Sequence, residues 1–328
     1  MTPDPTIAAV AIGRNEGQRL IDCLDALRAS EVVPGRIVYV DSGSTDGSVE
    51  AARALGCEVV MLDTATPFTA ARARNAGLDA LRAGALPDLV QFVDGDCAVR
   101  PDWIGTARDF LAAHPRAAVV CGRRRERYPE ASVYNRLCDR EWDTPVGQAK
   151  ACGGDALMRM AALDAVGDYD PTLIAGEEPE LCLRLRAQGW EVWRIDAEMT
   201  LHDAAMTRFS QFWKRMQRGG HAWAEGAAMH GAPPERHGVR GRNSALLWGV
   251  AVPLAILLAL LIFGPWALAL LLVYPLQMLR IGLKDGGGRA AFERAILLVL
   301  GKFAEARGVI GYHLDARTGR RASLIEYK

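Results

Sequence analysis

Leu89-Val90-Gln91-Phe92-Val93-Asp94-Gly95-Asp96 is the stretch on which the reading of this chain turns. Its first five residues form a short apolar run of the length expected for a buried strand. The two carboxylates beyond it stand at i and i+2, so both can point the same way. Like charges held that close are costly unless a cation sits between them. Hard divalent cations take oxygen ligands and often share them with substrate phosphates. One Asp-x-Asp alone is also what an ordinary acidic loop contains, so its weight depends on its surroundings.

Those surroundings alternate. Residues 7–12, 37–40 and 57–62 are strand candidates before it, and 117–121 follows it. Helical spacing of apolar residues covers 15–28, 46–55, 69–81 and 101–113. Such alternation implies an α/β fold with a mostly parallel central sheet flanked by helices on both faces. Ligands of such sheets gather at the carboxyl ends of the strands. Asn15, Asp41, Asp94 and Asp96 all fall there. The stretch 126–200 is less regular. Pro179 suits the first position of a helix running to residue 187, which puts Glu178 at the N-cap, kept ionised by the positive helix end. A short strand is expected at 190–195, and a basic helical segment at 203–230.

The chain has 328 residues, half of them hydrophobic, and a formal net charge of zero. That balance gives no case for nucleic acid as a partner. Seven cysteines are scattered with no Cys-x-x-Cys pair. This argues against a disulfide framework or a structural zinc site and for a reducing cytosol. The N-terminus lacks the basic flank of a signal peptide, so the first domain is expected to stay cytoplasmic.

Charge disappears altogether from Ser244 to Leu279. One straight helix of that length would extend roughly 54 Å, far beyond a hydrocarbon core. Gly264-Pro265 near its middle therefore marks a fold into two arms, as a spanning hairpin or as a shallow re-entrant one. Trp248 and Trp266 stand near the starts of the arms, where interfacial aromatics are found. Basic residues on both sides (Arg236, Arg240 and Arg242 before, ten Lys/Arg against five Asp/Glu in 280–328) put both ends on the cytoplasmic face of a bacterial-type inner (plasma) membrane. After Gly286-Gly287-Gly288, residues 291–310 read as an amphipathic helix, either interfacial or packed on the catalytic domain. The expected division is a catalytic domain at 1–230, a membrane hairpin at 231–285, and an amphipathic helix with a basic tail at 286–328.

Five motifs in order resemble the family 2 glycosyltransferases, which have the GT-A fold. They are Val10-Ala11-Ile12-Gly13-Arg14-Asn15-Glu16, Val40-Asp41-Ser42-Gly43-Ser44-Thr45-Asp46-Gly47, Arg72-Ala73-Arg74-Asn75, Asp94-Gly95-Asp96 and Gly176-Glu177-Glu178. The resemblance implies a nucleoside diphosphate sugar donor, with Arg14, Asn15, Glu16, Asp41, Arg72 and Asp94 on the nucleotide side. It implies Mn2+ or Mg2+ on Asp96 and Asp94, with His202 as a third ligand, and Glu178 or Glu177 as the general base. The family form at the base is more often Glu-Asp, so this chain leaves the choice between the two glutamates open. Arg72 and Arg74 can also be read as solvated helix charges.

Gly153-Gly154-Asp155 reads as pocket floor, because glycine lets a ligand approach the backbone. Trp213, Arg215 and Arg218 occupy the place of the Gln-x-x-Arg-Trp segment of processive relatives, which is absent here. They are candidates for acceptor or diphosphate contact. The expected activity is transfer of a sugar, most simply from a UDP-sugar with inversion, to a lipid-linked glycan, glycolipid or polysaccharide acceptor at a membrane. The alternatives are a sugar nucleotidyltransferase and a non-catalytic membrane scaffold of the same fold.

Overall fold

The computed structural model describes residues 4–319. In the first part, strands and helices alternate as β1 (Ile7–Gly13), α1 (Gln18–Arg28), β2 (Arg36–Asp41), α2 (Ser48–Ala54), β3 (Glu58–Met61), α3 (Ala70–Arg82) and β4 (Leu89–Asp94). They continue as β5 (Cys97–Val99), α4 (Trp103–Ala113), β6 (Ala117–Glu126), α5 (Val133–Glu141), β7 (Gly147–Ala149), β8 (Ala156–Arg159), α6 (Met160–Val166), α7 (Glu177–Ala187) and β9 (Glu191–His202). The strands lie in the order β3-β2-β1-β4-β8-β6-β9-β5, with β7 added on β9.

The half of the sheet made by β3, β2, β1 and β4 is wholly parallel. Beyond β4 the sheet is mixed: β8 is antiparallel to β4 and β6, β6 is parallel to β9, and β5 and β7 run antiparallel to β9. The added strands β5, β7 and β8 have three or four residues each, too few to announce a period in sequence. The core is the double-sided apolar packing of the central strands, with Val10, Val38, Val40, Val90, Phe92 and Val120 fully buried. Gln91 is buried among them and satisfied, donating to the Phe92 carbonyl at 2.7 Å and accepting from Trp103 Nε1 at 2.8 Å.

Two elements differ from the expectation in ways that matter for the site. α7 starts at Glu177, not at Pro179, with Gly176 as its N-cap at φ 82°. That left-handed backbone suits glycine, and proline is tolerated anywhere in the first turn, where backbone N–H groups have no intrahelical acceptor. Glu178 therefore stands inside the first turn rather than at the cap. β9 runs seven residues beyond the expected end at Ile195, and its last residue, His202, pairs with Cys97.

The chain divides into two compact units, residues 1–129 with 138–205, and residues 130–137 with 206–328. The second is helical: α8 (Phe209–His230), α9 (Val239–Leu246), α10 (Val252–Phe263), α11 (Val273–Lys284) and α12 (Arg289–Thr318). A π turn (Leu247–Ala251) joins α9 to α10, and a 3-10 stretch (Gly264–Leu272) joins α10 to α11. Val239–Lys284 is thus one helical run, and 6% of its most apolar 18-residue window, at mean hydropathy 2.7, is buried. It is folded rather than straight. Gly264 has φ 70°, and the Tyr274 hydroxyl donates to the Trp248 carbonyl at 2.9 Å across 26 residues of sequence.

The helix expected at 291–310 is α12. Its small and apolar residues Ala295, Val299, Ala304 and Val309 are buried. Gly220 lies on the Glu305 backbone and Gly308 on the Gln217 carbonyl, so α8 and α12 cross in close contact. α12 thus packs within the helical unit to which it belongs.

Candidate active site

The carboxyl ends of β1, β2 and β4 place their loops side by side. After β1, Asn15 adopts φ 54°. Its N–H donates to Ser44 Oγ at 2.9 Å, and its Oδ1 accepts from the Thr45 N–H at 2.8 Å. Arg14 stacks on Phe68 at 4.5 Å, and Glu16 pairs with Arg19 at 2.7 Å. Asp41 closes β2 and has no exposed surface. It accepts from the Tyr39 hydroxyl at 2.9 Å and from the N–H groups of Gly43 and Ser44 at 2.9 and 2.8 Å. In this geometry Asp41 shapes the loop that was expected to face a nucleotide. Arg72 likewise works locally: it donates to the carbonyls of Thr66 and Pro67 at 2.8 and 2.7 Å and so pins the segment entering α3.

The residue that organises the site is Arg74, 2% exposed. Its guanidinium donates to Asp94 Oδ1 at 2.9 Å and to Glu177 Oε1 at 2.9 Å, and it lies 3.2 Å from Glu178 Oε1. The Tyr169 ring lies 5.5 Å from it. Burial works against its charge, but Glu178, Asp94 and Glu177 outweigh this and hold its pKa well above the usual value. Sequence reasoning left Arg74 as a possible solvated charge. A signal was available, since Ala71, Arg74, Leu78 and Leu81 share the 3–4 spacing of one buried helix face.

Glu178 has 16% of its side chain exposed, against 4% for Glu177. Burial, reinforced by the neighbouring Glu177, pushes its pKa up to about 7, with Arg74 opposing. The helix end was expected to keep Glu178 ionised; loss of hydration works against that and brings its titration close to neutral pH.

Asp155 is fully buried and structural. It accepts the Asp94 N–H at 3.0 Å and the Thr200 hydroxyl at 2.8 Å, and it pairs with Arg124 Nε at 3.0 Å. Arg124 comes from the part of β6 past the expected strand end, and burial of its charge is offset chiefly by Asp155, so it stays protonated. A Cβ on Gly154 would sit 2.8 Å from Asp94 Oδ2 and against Arg74. That glycine therefore makes room for the ion pair itself, rather than forming a bare floor.

Asp96 is buried and lies 3.0 Å, through Oδ2, from His202 Nε2. The imidazole stacks on Trp142 at 4.5 Å. Burial and then Arg124 push its pKa down to about 4, so it is neutral at pH 7, as a ligating imidazole must be. Its buried Nδ1 has no hydrogen-bond partner among the described residues. Ligand atoms of Asp96, Cys97 and His202 fall within 4.8 Å of one another, as do those of Asp94, Cys97 and Asp155. Burial, with Asp155 adding to it, holds the Cys97 thiol far above its ordinary pKa. Asp96 and His202 supply oxygen and imidazole donors. A carboxylate beside a neutral imidazole fits a divalent cation such as Mn2+.

Trp213, Arg215 and Arg218 lie on α8 in the helical unit, where Trp213 packs near Phe209 at 5.9 Å.

Residues 10–160 match the family described as Glycosyl transferase family 2. By this match, residues 10–160 form a family 2 glycosyltransferase domain. The chain is 28% identical over 213 residues to the succinoglycan biosynthesis protein ExoA of Rhizobium meliloti (strain 1021), covering 61% of this chain and 64% of that relative. Among solved structures it is similar to the mannosyltransferase PcManGT from Pyrobaculum calidifontis in complex with GDP-Man and Mn2+. The TM-score is 0.62 at 19% identity, over 94% of this chain and 88% of that one. The fold is GT-A, with an apolar helical segment after it.

Proposed function

We propose that this glycosyltransferase is metal-dependent and moves one sugar from a nucleoside diphosphate sugar to a hydroxyl of a lipid-linked or polysaccharide acceptor at a membrane. The observation that carries the reading is the convergence of Asp94, Glu177 and Glu178 on the buried Arg74 guanidinium.

Glu178 is the general base. It has the more open face of the two glutamates, and its pKa of about 7 lets it take up a proton near neutral pH. Arg74 fixes Glu177 and Asp94 on either side and keeps Glu178 in place. With one base and no nucleophile assigned, the reaction is a single displacement with inversion. Asp96 and His202, with Asp94 alongside, would hold the divalent cation. When bound, that cation neutralises charge developing on the leaving nucleoside diphosphate. Asn15, Asp41 and Arg72 keep the nucleotide-side loops in shape.

The polysaccharide acceptor class is supported by the role printed for the Rhizobium meliloti relative. Attachment to the cytoplasmic face of a plasma membrane is supported by the apolar run Val239–Lys284 and its basic flanks. A UDP-sugar is the donor class to test first, with GDP-mannose beside it. Asp96→Ala and Glu178→Ala are each expected to lower transfer from the labelled donor by about 10²-fold or more. Unchanged transfer in both variants would end this mechanism. Diphosphate release from a nucleoside triphosphate would instead favour a nucleotidyltransferase.

A further inference from the structure

The apolar run Val239–Lys284 is held by protein at its two ends and bare in its middle. Near its start, Ala245 shares a buried cluster with Ala224 and Val309, and Gly249 lies directly on the backbone of Lys302 and the methyl of Ala306. Near its end, the Tyr274 ring is 5.5 Å from Phe303, and Gly282 lies on the Phe292 ring. These pairs have an order. α9 and the π turn after it descend α12 from residue 309 to 302, and α11 takes over at residue 303 and descends to 292. The chain therefore leaves α12 and returns to it at nearly the same level. Everything between is an excursion, closed at its base by the hydrogen bond from Tyr274 to the Trp248 carbonyl.

The excursion is short. α10 has 12 residues, about 18 Å at about 1.5 Å per residue. The 3-10 stretch has 9 residues, also about 18 Å at about 2.0 Å per residue. A hydrocarbon core is about 30 Å thick. Among the described residues of the two arms, only Ile256 and Ala267 are buried. The tip is the barest part, with Leu261 76%, Phe263 70% and Trp266 89% exposed. At the reversal Pro265 has no N–H, which removes one donor that lipid could not satisfy. At the base of the excursion, α11 exposes Leu276, Leu279 and Leu283 on one stripe beside the exposed Arg280 and Lys284. That is the pattern of a helix lying in a membrane interface.

We infer that α10 and the 3-10 stretch form a re-entrant wedge. It enters one leaflet of a lipid bilayer and turns back within the hydrocarbon, while α11 lies along the surface it enters. A spanning hairpin would have to seat Trp266 among the far headgroups, and the arms supply little more than half that distance. The inference rests on the membrane reading above and adds its depth and sidedness.

The test uses the full chain in cell membranes. Retention after a carbonate wash reports on membrane attachment alone. Trp266→Cys is then treated on intact cells with a membrane-impermeant maleimide. The native cysteines are all buried and give little background. A nitroxide on the same cysteine reports depth through its accessibility to oxygen and to a nickel chelate. The wedge predicts retention, no labelling until detergent is added, and a nitroxide near the bilayer centre. Labelling from outside, or a nitroxide at the far headgroups, overturns the wedge while leaving membrane attachment intact. Release by carbonate overturns both.

Discussion

The sheet unit and the apolar hairpin solve the problem of placing side chains in opposite ways. Around Arg74 charged groups are driven out of water and compensate one another at 2.9 to 3.2 Å. On the hairpin, leucines stand bare with nothing of the described chain over them. The first region is self-sufficient and intolerant, because a buried charge that loses its partner is strongly destabilising. The second is incomplete by itself and tolerant within the protein, since its side chains touch little. The difference teaches where a substitution should be read: as unfolding in one region and, under the proposed membrane attachment, as mislocalisation in the other.

Three measurements can break or sharpen that contrast. The largest effect is expected for Arg74→Ala, which strands three carboxylates. It should lower stability by about 3–5 kcal/mol, seen as a large drop in the thermal unfolding midpoint of the purified chain. Arg74→Lys should recover only part of this, because an ammonium cannot fork between Asp94 and Glu177. A midpoint unchanged by Arg74→Ala would show that the cluster is not the keystone described.

Next in size is a pH effect confined to the sheet unit. Only ionised Glu178 can take a proton, so the transfer rate should climb as pH rises through about 7 and flatten above it. Glu178→Gln should remove that limb of the profile while leaving donor binding in place. A rate that falls across the same window would assign the base elsewhere.

The smallest effect on folding is expected on the hairpin. Leu261→Asn, at a residue 76% exposed, should shift unfolding by no more than about 0.5 kcal/mol. The same variant should release more protein from membranes on washing. A large unfolding shift would mean that Leu261 packs against protein after all.

The same contrast separates what was readable in the sequence from what was not. The alternation of strands and helices, the acids after β4 and the fold at Gly264 were legible because each depends on local pattern. What escaped depends on pairing between distant segments. His202 itself was expected beside Asp96, but not the strand that brings it there: β9 continues past Asp196 and Glu198, polar positions that look like a strand's end, and pairs with Cys97. Arg124 was missed because β6 similarly outruns its apolar stretch. Arg74 was left undecided because a charge on a helix is ordinarily solvated. The N-cap position of Glu178 failed because Gly176, not Pro179, sets the helix start.

Asn15 ties the turn after β1 to the turn after β2 through Ser44 and Thr45. Those two segments are thereby yoked into a single jaw. A substitution that displaces the Ser42–Thr45 turn should therefore also disturb the Asn15 turn, which sits next to Arg14 and its Phe68 stack.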